Sequence, residues 1–299
     1  MDGARGGDGG ESVKHGAYIF LASFLALSAS WCGLVLAPQL QLGRQTLSPI
    51  TGTTDQYPQR RPGLAEAGLQ VYRAQGCVTC HSQQTRQTGA VFDVVLNELG
   101  TNETAVALAL AALKVDWKPA DLQALPRDLF RGVDFAAADA AERTLKPTGA
   151  KFSIAVRATG PDIERGWGLR GSVAADYLQD QPVLLGAQRL GPDLANIGLR
   201  QPDVNWHLNH LYAPASTVQG STMPPYRFLF EVRPVGLQPS PAALKLPPAF
   251  APPAGYEVVP TDDALALAAY LVSLRASVPL FEAPVTVALP ASSAAAPAP

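Results

Sequence analysis

Cysteine and methionine are scarce. The 299-residue chain holds three cysteines and, beyond Met1, one methionine, Met223. Three cysteines, two of them claimed by the motif below, exclude the disulfide framework that staples small secreted domains. Charge of one sign is lacking too: 23 basic residues stand against 25 acidic ones. Nothing there would grip a polyanion such as nucleic acid. No nucleophile-base pair or phosphate loop is visible, so no catalytic residue is assigned. Glycine and proline are plentiful, 26 and 27 residues, which predicts a loop-rich chain instead of long continuous helices.

Two of the cysteines lie in Gly76-Cys77-Val78-Thr79-Cys80-His81. Cysteines three positions apart can each close a thioether bond to a haem edge, and the same turn places the following histidine to bind the iron. This predicts one covalently attached haem c on Cys77 and Cys80, with His81 as axial ligand. The competing readings are a structural disulfide, half of a zinc site and a thioredoxin-like pair. Zinc needs more Cys or His at suitable spacing, and Cys32 sits far upstream in an apolar run. A thioredoxin-like pair is expected near a βαβ pattern, which this neighbourhood lacks. If the iron takes a thioether as second axial ligand, Met223 is the one internal candidate.

In chain order, residues 1–15 read as a polar, disordered leader. Residues 16–38 form an apolar anchor long enough to span a hydrocarbon core of about 30 Å, with Pro38 ending it. A cleaved signal peptide is the alternative, but the run exceeds the length usual for one. Residues 39–62 read as a polar stalk that lifts the rest off the membrane. Helical spacing of Leu64, Gly68, Val71 and Tyr72 predicts a helix leading into Cys77, and Thr261 or Asp262 can cap a second one bearing Leu265, Ala268, Leu271 and Val272. Small c-type cytochromes pair two helices in this way, which makes Gly68 the point of close approach and Tyr72 and Tyr270 the aromatic contacts. Residues 233–260 are proline-studded and predicted to wrap the surface in extended form; 281–299 read as a disordered tail.

Residues 91–156 have a different character. A strand at 91–96, helices at 101–113, from Pro119 and at 136–145, and a strand at 151–156 give a β-α-α-α-β order, a compact α/β insert. Phe92-Asp93-Val94-Val95-Leu96, Thr101-Asn102, Ala141-Glu142 and Gly149-Ala150-Lys151 are similar to the C-terminal domain of the ribosomal stalk protein. That family's lysine-rich helical surface is replaced here by Val115-Asp116-Trp117-Lys118-Pro119, so the resemblance implies the fold and not factor binding.

Beyond the insert come Gly191-Pro192-Asp193-Leu194, then Trp206-His207-Leu208-Asn209-His210-Leu211, then Met223-Pro224. Small c-type cytochromes have a comparable Gly-Pro-x-Leu segment whose proline carbonyl takes the other nitrogen of the axial histidine; by that resemblance Pro192 serves His81 and Leu194 faces the haem. Met223, on a Pro-stiffened loop before the terminal helix, is favoured as second axial ligand, with His207 and His210 as alternatives.

With Tyr57-Pro58, Asp176-Tyr177 and Leu185-Gly186, this ordered set resembles the mono-haem subunit II of cbb3-type cytochrome c oxidase over nearly the whole chain outside insert and tail. The implied fold is mainly α: a class I cytochrome c-like domain, split over 63–90 and 157–280, on a single N-terminal transmembrane helix and interrupted by the α/β insert. The implied cofactor-binding residues are Cys77, Cys80, His81, Met223, Pro192 and Leu194, with His81 and Met223 on the metal. The implied partners are the haem-copper catalytic subunit, a second cytochrome c subunit and the membrane, and the implied place is the periplasmic side of a bacterial inner membrane. Gln87 stands where that family commonly has proline. The rivals are an anchored cytochrome of another membrane enzyme such as nitric oxide reductase, a haem-based gas sensor, and a non-haem scaffold.

Overall fold

The computed structural model describes residues 15–44, 46–118 and 124–280. Nearly all of the expected leader, the expected tail and the helix opened by Pro119 lie outside the described residues. The chain divides into two units, Met1–Leu47 and Ser48–Pro299.

In the first unit, helix α1 (Gly16–Trp31) passes through a π-helical turn (Cys32–Leu36) into α2 (Ala37–Leu42). The span expected to stop at Pro38 runs through it. Proline has no N–H to donate and crowds the carbonyl four residues back, and the widened π turn absorbs that misfit. The 26 residues Gly16–Gln41 are apolar and bury nothing against their own chain. At 1.5 Å per residue they reach about 39 Å, enough to cross a bilayer core. This single apolar helix is consistent with a membrane anchor.

The second unit is mixed α/β, where a mainly α fold was expected. It opens with a small antiparallel pair, β1 (Ser48–Pro49) and β2 (Gln56–Tyr57). The stretch expected to be a free stalk is docked from here on. Ile50 and buried Tyr57 join Val173, Ala175, Leu178, Val278 and Leu280 in an apolar cluster. Thr51 N–H donates to Pro279 O (3.1 Å), Gln179 Nε2 to Pro58 O (3.1 Å), and Arg61 pairs with Asp180. Apolar Ile50 and Tyr57 in a polar run give the segment something to bury, which a free spacer does not have.

Helix α3 (Gly63–Ala74) buries Ala65, Gly68, Leu69 and Tyr72, one helical stripe. The chain then builds the insert: β3 (Gly89–Glu98), α4 (Glu103–Ala112), β4 (Arg127–Val133), α5 (Phe135–Leu145) and β5 (Lys151–Thr159). Its antiparallel sheet has the order β4-β3-β5, with β3 central. Val94 and Leu96, two apart and so on one face, pack with Val106, Leu110, Ala138, Ala141 and Leu145 into a core of the insert's own. Asn102 and Asp134 cap the two helices by accepting the N–H groups of Ala105 (3.0 Å) and Ala137 (2.8 Å). Strand β4 is absent from the sequence expectation: its apolar Leu129 and Phe130 are adjacent instead of alternating, and Gly132 sits at φ +65° beside a register shift. The sheet also reaches Gly89 and Thr159, beyond the expected limits of 91 and 156.

After the insert come two short helices, α6 (Pro161–Glu164) and α7 (Ile197–Arg200), then α8 (Val204–Tyr212). An antiparallel pair follows, β6 (Phe230–Pro234) with β7 (Tyr256–Pro260), and α9 (Asp262–Ser273) ends the regular structure among the described residues. The pair closes the two ends of the stretch expected to be extended over 233–260, with Phe230 opposite Pro260. Thr261 caps α9 and two aspartates occupy its first turn, where the helix dipole favours negative charge. Helices α3 and α9 cross at Gly68: a Cβ there would lie 1.9 Å from Ala266 O, so only glycine allows the approach. Tyr72 and Tyr270 pack beside the crossing with ring centroids 5.2 Å apart.

Gly68→Ala is expected to cost about 1–3 kcal/mol, the usual range for overpacking a core, against less than ~1 kcal/mol gained in helix propensity; denaturant unfolding of the full chain in detergent reads the difference. In the insert, Arg157 Nε donates to Asp93 Oδ2 (2.6 Å) and Gly132 N–H to Oδ1 (2.7 Å). The Arg157 bond holds the Asp93 carboxyl below its ordinary value. Its contribution is therefore complete above the unfolded carboxyl's pKa and disappears as pH falls through the lower folded value. Asp93→Asn should weaken hydrogen-exchange protection of β3 and β5 at neutral pH and remove this part of their acid sensitivity.

Candidate haem site

Two residues past α3 stands Gly76, whose φ of +67° turns the chain into a 3₁₀ turn, Cys77–Thr79. The N–H groups of Cys80 and His81 both donate to Cys77 O, at 3.2 and 3.0 Å. One turn thus holds both sulfurs and the imidazole together. Cys77 and Cys80 are free thiols, not a disulfide, and burial pushes the Cys77 thiol up to about 11. Among the described residues no three His, Cys, Asp or Glu side chains cluster as a zinc site would need.

The Gly-Pro segment meets this turn from the far side of the insert. His81 Nδ1 lies 2.8 Å from Pro192 O, the partner expected from the sequence. That bond places the proton on Nδ1 and leaves Nε2 with its lone pair for a metal. Gly191 makes room for the ring: a Cβ there would stand 2.2 Å from His81 Cε1. Gly186, at φ +74°, backs the same turn, since a Cβ on it would meet His81 O at 2.5 Å. Burial holds the His81 imidazole below its ordinary value, against the opposing pull of the Pro192 carbonyl and the Asp193 carboxylate. It is therefore neutral at pH 7, the form in which imidazole ligates.

Leu194 is buried in the main apolar cluster with Leu69, Tyr72, Leu208, Leu211 and Leu267, and Cys77, Val78, Leu184, Met223 and Tyr226 pack against that cluster. Met223 and Cys77 so border one apolar body. The two alternative ligands each hold one ring nitrogen in a hydrogen bond. His207 Nε2 lies 2.8 Å from Gln201 O, and His210 Nδ1 lies 2.6 Å from Thr217 Oγ1 while its ring stacks on Trp206. Burial first, then the charges of His207 and His81, pushes His210 down to about 4.

The residues fit the cofactor that the motif implies: two free thiols, a neutral imidazole with one nitrogen fixed, a glycine cleared against the ring, and apolar side chains alongside. The sequence reading missed what braces them. Asp193, fully buried, accepts Ser82 Oγ–H (2.6 Å) and the N–H groups of Gln84 and Ala195 (both 2.8 Å). Gln83 exchanges hydrogen bonds with Tyr270 on α9 (3.0 and 3.2 Å). The Ser82-Gln83-Gln84 run directly after His81 was the available signal, three polar residues beside a predicted ligand.

Residues 150–245 match the family model described as cytochrome c oxidase, mono-haem subunit/FixO. No curated protein matches the chain. The matched part includes Pro192, Leu194 and Met223, and begins as the insert's last strand does; the cysteine pair lies on the other side of the insert. Gly191 N–H to Cys80 O (3.0 Å) and Leu194 N–H to Ser82 O (2.8 Å) join the two parts. The matched family is the mono-haem cytochrome subunit of cbb3-type cytochrome c oxidase, and the chain is similar to it over residues 150–245, about a third of its length.

Gly191→Ala is expected to drive the His81 ring off the Pro192 carbonyl. The variant should hold less covalent haem per chain, and what it holds should lose the low-spin spectrum.

Proposed function

We propose that this chain relays electrons to the haem-copper catalytic subunit of a cbb3-type oxidase, carrying one haem c on thioether bonds from Cys77 and Cys80. His81 and Met223 would hold its iron, with Leu194 among the apolar side chains beside it. The supporting observation is the His81–Pro192 bond. It ties a haem-attachment motif outside the FixO match to the Gly-Pro segment inside it.

The haem supplies the one-electron couple, and the protein's own groups tune it. Pro192 O draws the Nδ1 proton and makes the imidazole a stronger donor. Thioether ligation raises the potential relative to a second histidine. Pro224 and Pro225 stiffen the chain directly after Met223, and Tyr226 N–H donates to Leu211 O (2.8 Å), fixing the end of that loop to α8. Haem attachment outside the bacterial cytoplasm puts the second unit on the periplasmic side, with α1 and α2 in the inner membrane. The partners are the catalytic subunit and a second cytochrome c subunit. For the insert, the central position of β3 and the capped helices support the likeness to the ribosomal stalk domain as a fold, with a docking or spacer role.

Mass spectrometry of the native membrane complex should find one haem on this chain together with a haem-copper subunit; a complex without that subunit overturns the oxidase role. Met223→Ala should abolish the sulfur-to-iron charge-transfer band of the ferric protein, lower the midpoint potential and let the ferrous protein bind carbon monoxide. Carbon monoxide binding by the unaltered protein at neutral pH would favour a gas sensor instead.

A further inference from the structure

Arg189 is the most heavily engaged cation near His81. Its Nη1 donates to Asp162 Oδ1 (2.8 Å), its Nε to Ser82 Oγ (2.7 Å) and its Nη2 to Gln84 O, and Nη2 lies 3.6 Å from Asp193 Oδ2. The guanidinium also sits 5.4 Å from the centre of the Trp167 ring. Its two carboxylates are almost sealed from water, with side-chain exposures of 3% for Asp162 and 0% for Asp193. Asp162 Oδ2 accepts the N–H of Arg86 (2.7 Å) at the root of the insert. Asp193 follows Pro192 directly, and its backbone carbonyl accepts Arg200 Nη2. One cation therefore binds the residues after His81 on one side and faces the Pro192 segment on the other.

We propose that Arg189 is a positioning residue for His81: clamped between Asp162 and Asp193, it holds the Pro192 carbonyl on Nδ1 and sets the electrostatic field under which the iron changes charge. The inference rests on the reading of Cys77, Cys80 and His81 as the haem site. Its sign follows from Coulomb's law. The ferric centre carries one more positive charge than the ferrous one, so uncompensated negative charge near the imidazole stabilises the ferric state and lowers the potential. Removing Arg189 leaves Asp162 paired with Arg165, 3.9 Å away, and takes from Asp193 the guanidinium at 3.6 Å, so net negative charge there rises; removing the Asp193 charge does the reverse. A brace without an electrostatic role has no such sign rule, because loosening the Pro192 bond from either side weakens the same imidazole donor.

The test is redox titration of the full-length haem-loaded protein in detergent. Arg189→Gln is expected to shift the midpoint down and Asp193→Asn up, with Arg189→Lys between Arg189→Gln and the unaltered protein. The ferrous-state proton resonance of His81 Nδ1 should move in both neutralised variants. Shifts of the same direction in Arg189→Gln and Asp193→Asn, or no shift in either, overturn the inference. Should Arg189→Gln fail to fold, Arg189→Lys and Asp193→Asn carry the same comparison, because the lysine keeps the charge and Asp193→Asn must still raise the potential. Unaltered protein without covalent haem overturns the site reading and this inference together; haem-loaded protein with unmoved potentials overturns this inference alone.

Discussion

The hydrogen bond from His81 to Pro192 spans 111 positions of sequence, and the arrangement of the second unit follows from it. Flanking rungs keep it in register: the N–H groups of Gly191, Leu194 and Gln84 donate to Cys80 O, Ser82 O and the Asp193 carboxylate. A single bond between two flexible segments would contribute only about 1 kcal/mol. Several rungs and a buried carboxylate make it a fixed element, and a fixed element is needed to hold an imidazole at one angle. Behind it, the Gly68 crossing sets α3 against α9, and Gln83 with Tyr270 ties that crossing to the turn bearing His81.

The insert enters between these rungs without breaking them because both of its ends leave from one place. Thr88 N–H donates to Thr159 O (2.9 Å), so β3 and β5 begin and end as a hydrogen-bonded pair. Gly160, at φ +139°, turns the chain away where a Cβ would crowd Thr88 N at 3.0 Å. Gln87 Oε1 accepts Gly171 N–H (2.9 Å) and its Nε2 donates to Gly89 O (3.0 Å). A proline at this position would have no polar side-chain atoms to make those bonds. Closing a domain onto a two-stranded root costs the body little entropy, since the loop ends are already adjacent.

Local chemistry was legible in the sequence and long-range geometry was not. Cys77, Cys80 and His81 stand out by their spacing, and Pro192 by the resemblance of its Gly-Pro-x-Leu segment to that of small c-type cytochromes. The helices around Tyr72 and Leu267 announce themselves by apolar period, and Asn102 and Thr261 by capping chemistry. Strand β4 escaped because a glycine and a register shift break its alternation. The docking of Ile50 and Tyr57 escaped because two apolar residues in a polar run give no periodic signal. Asp162, Arg189 and Asp193 lie 31 positions or fewer apart. Nothing local says that they share one buried site, since a charged residue reads as surface until its partner is seen. Pro38 misled for a related reason: the break it imposes on a regular helix is taken up by one π turn.

Arg170 is fully buried, bound to both oxygens of Asp176 (2.7 and 3.0 Å) and to the carbonyl of Val278 (2.7 Å). A guanidinium deprived of that last acceptor inside the protein would be strongly unfavourable. Residue 278 and α9 are also the last described parts of the chain to be synthesised, whereas the cysteine pair is among the first of the second unit. The body around the Cys77–His81 turn is thus completed only when these final segments are in place.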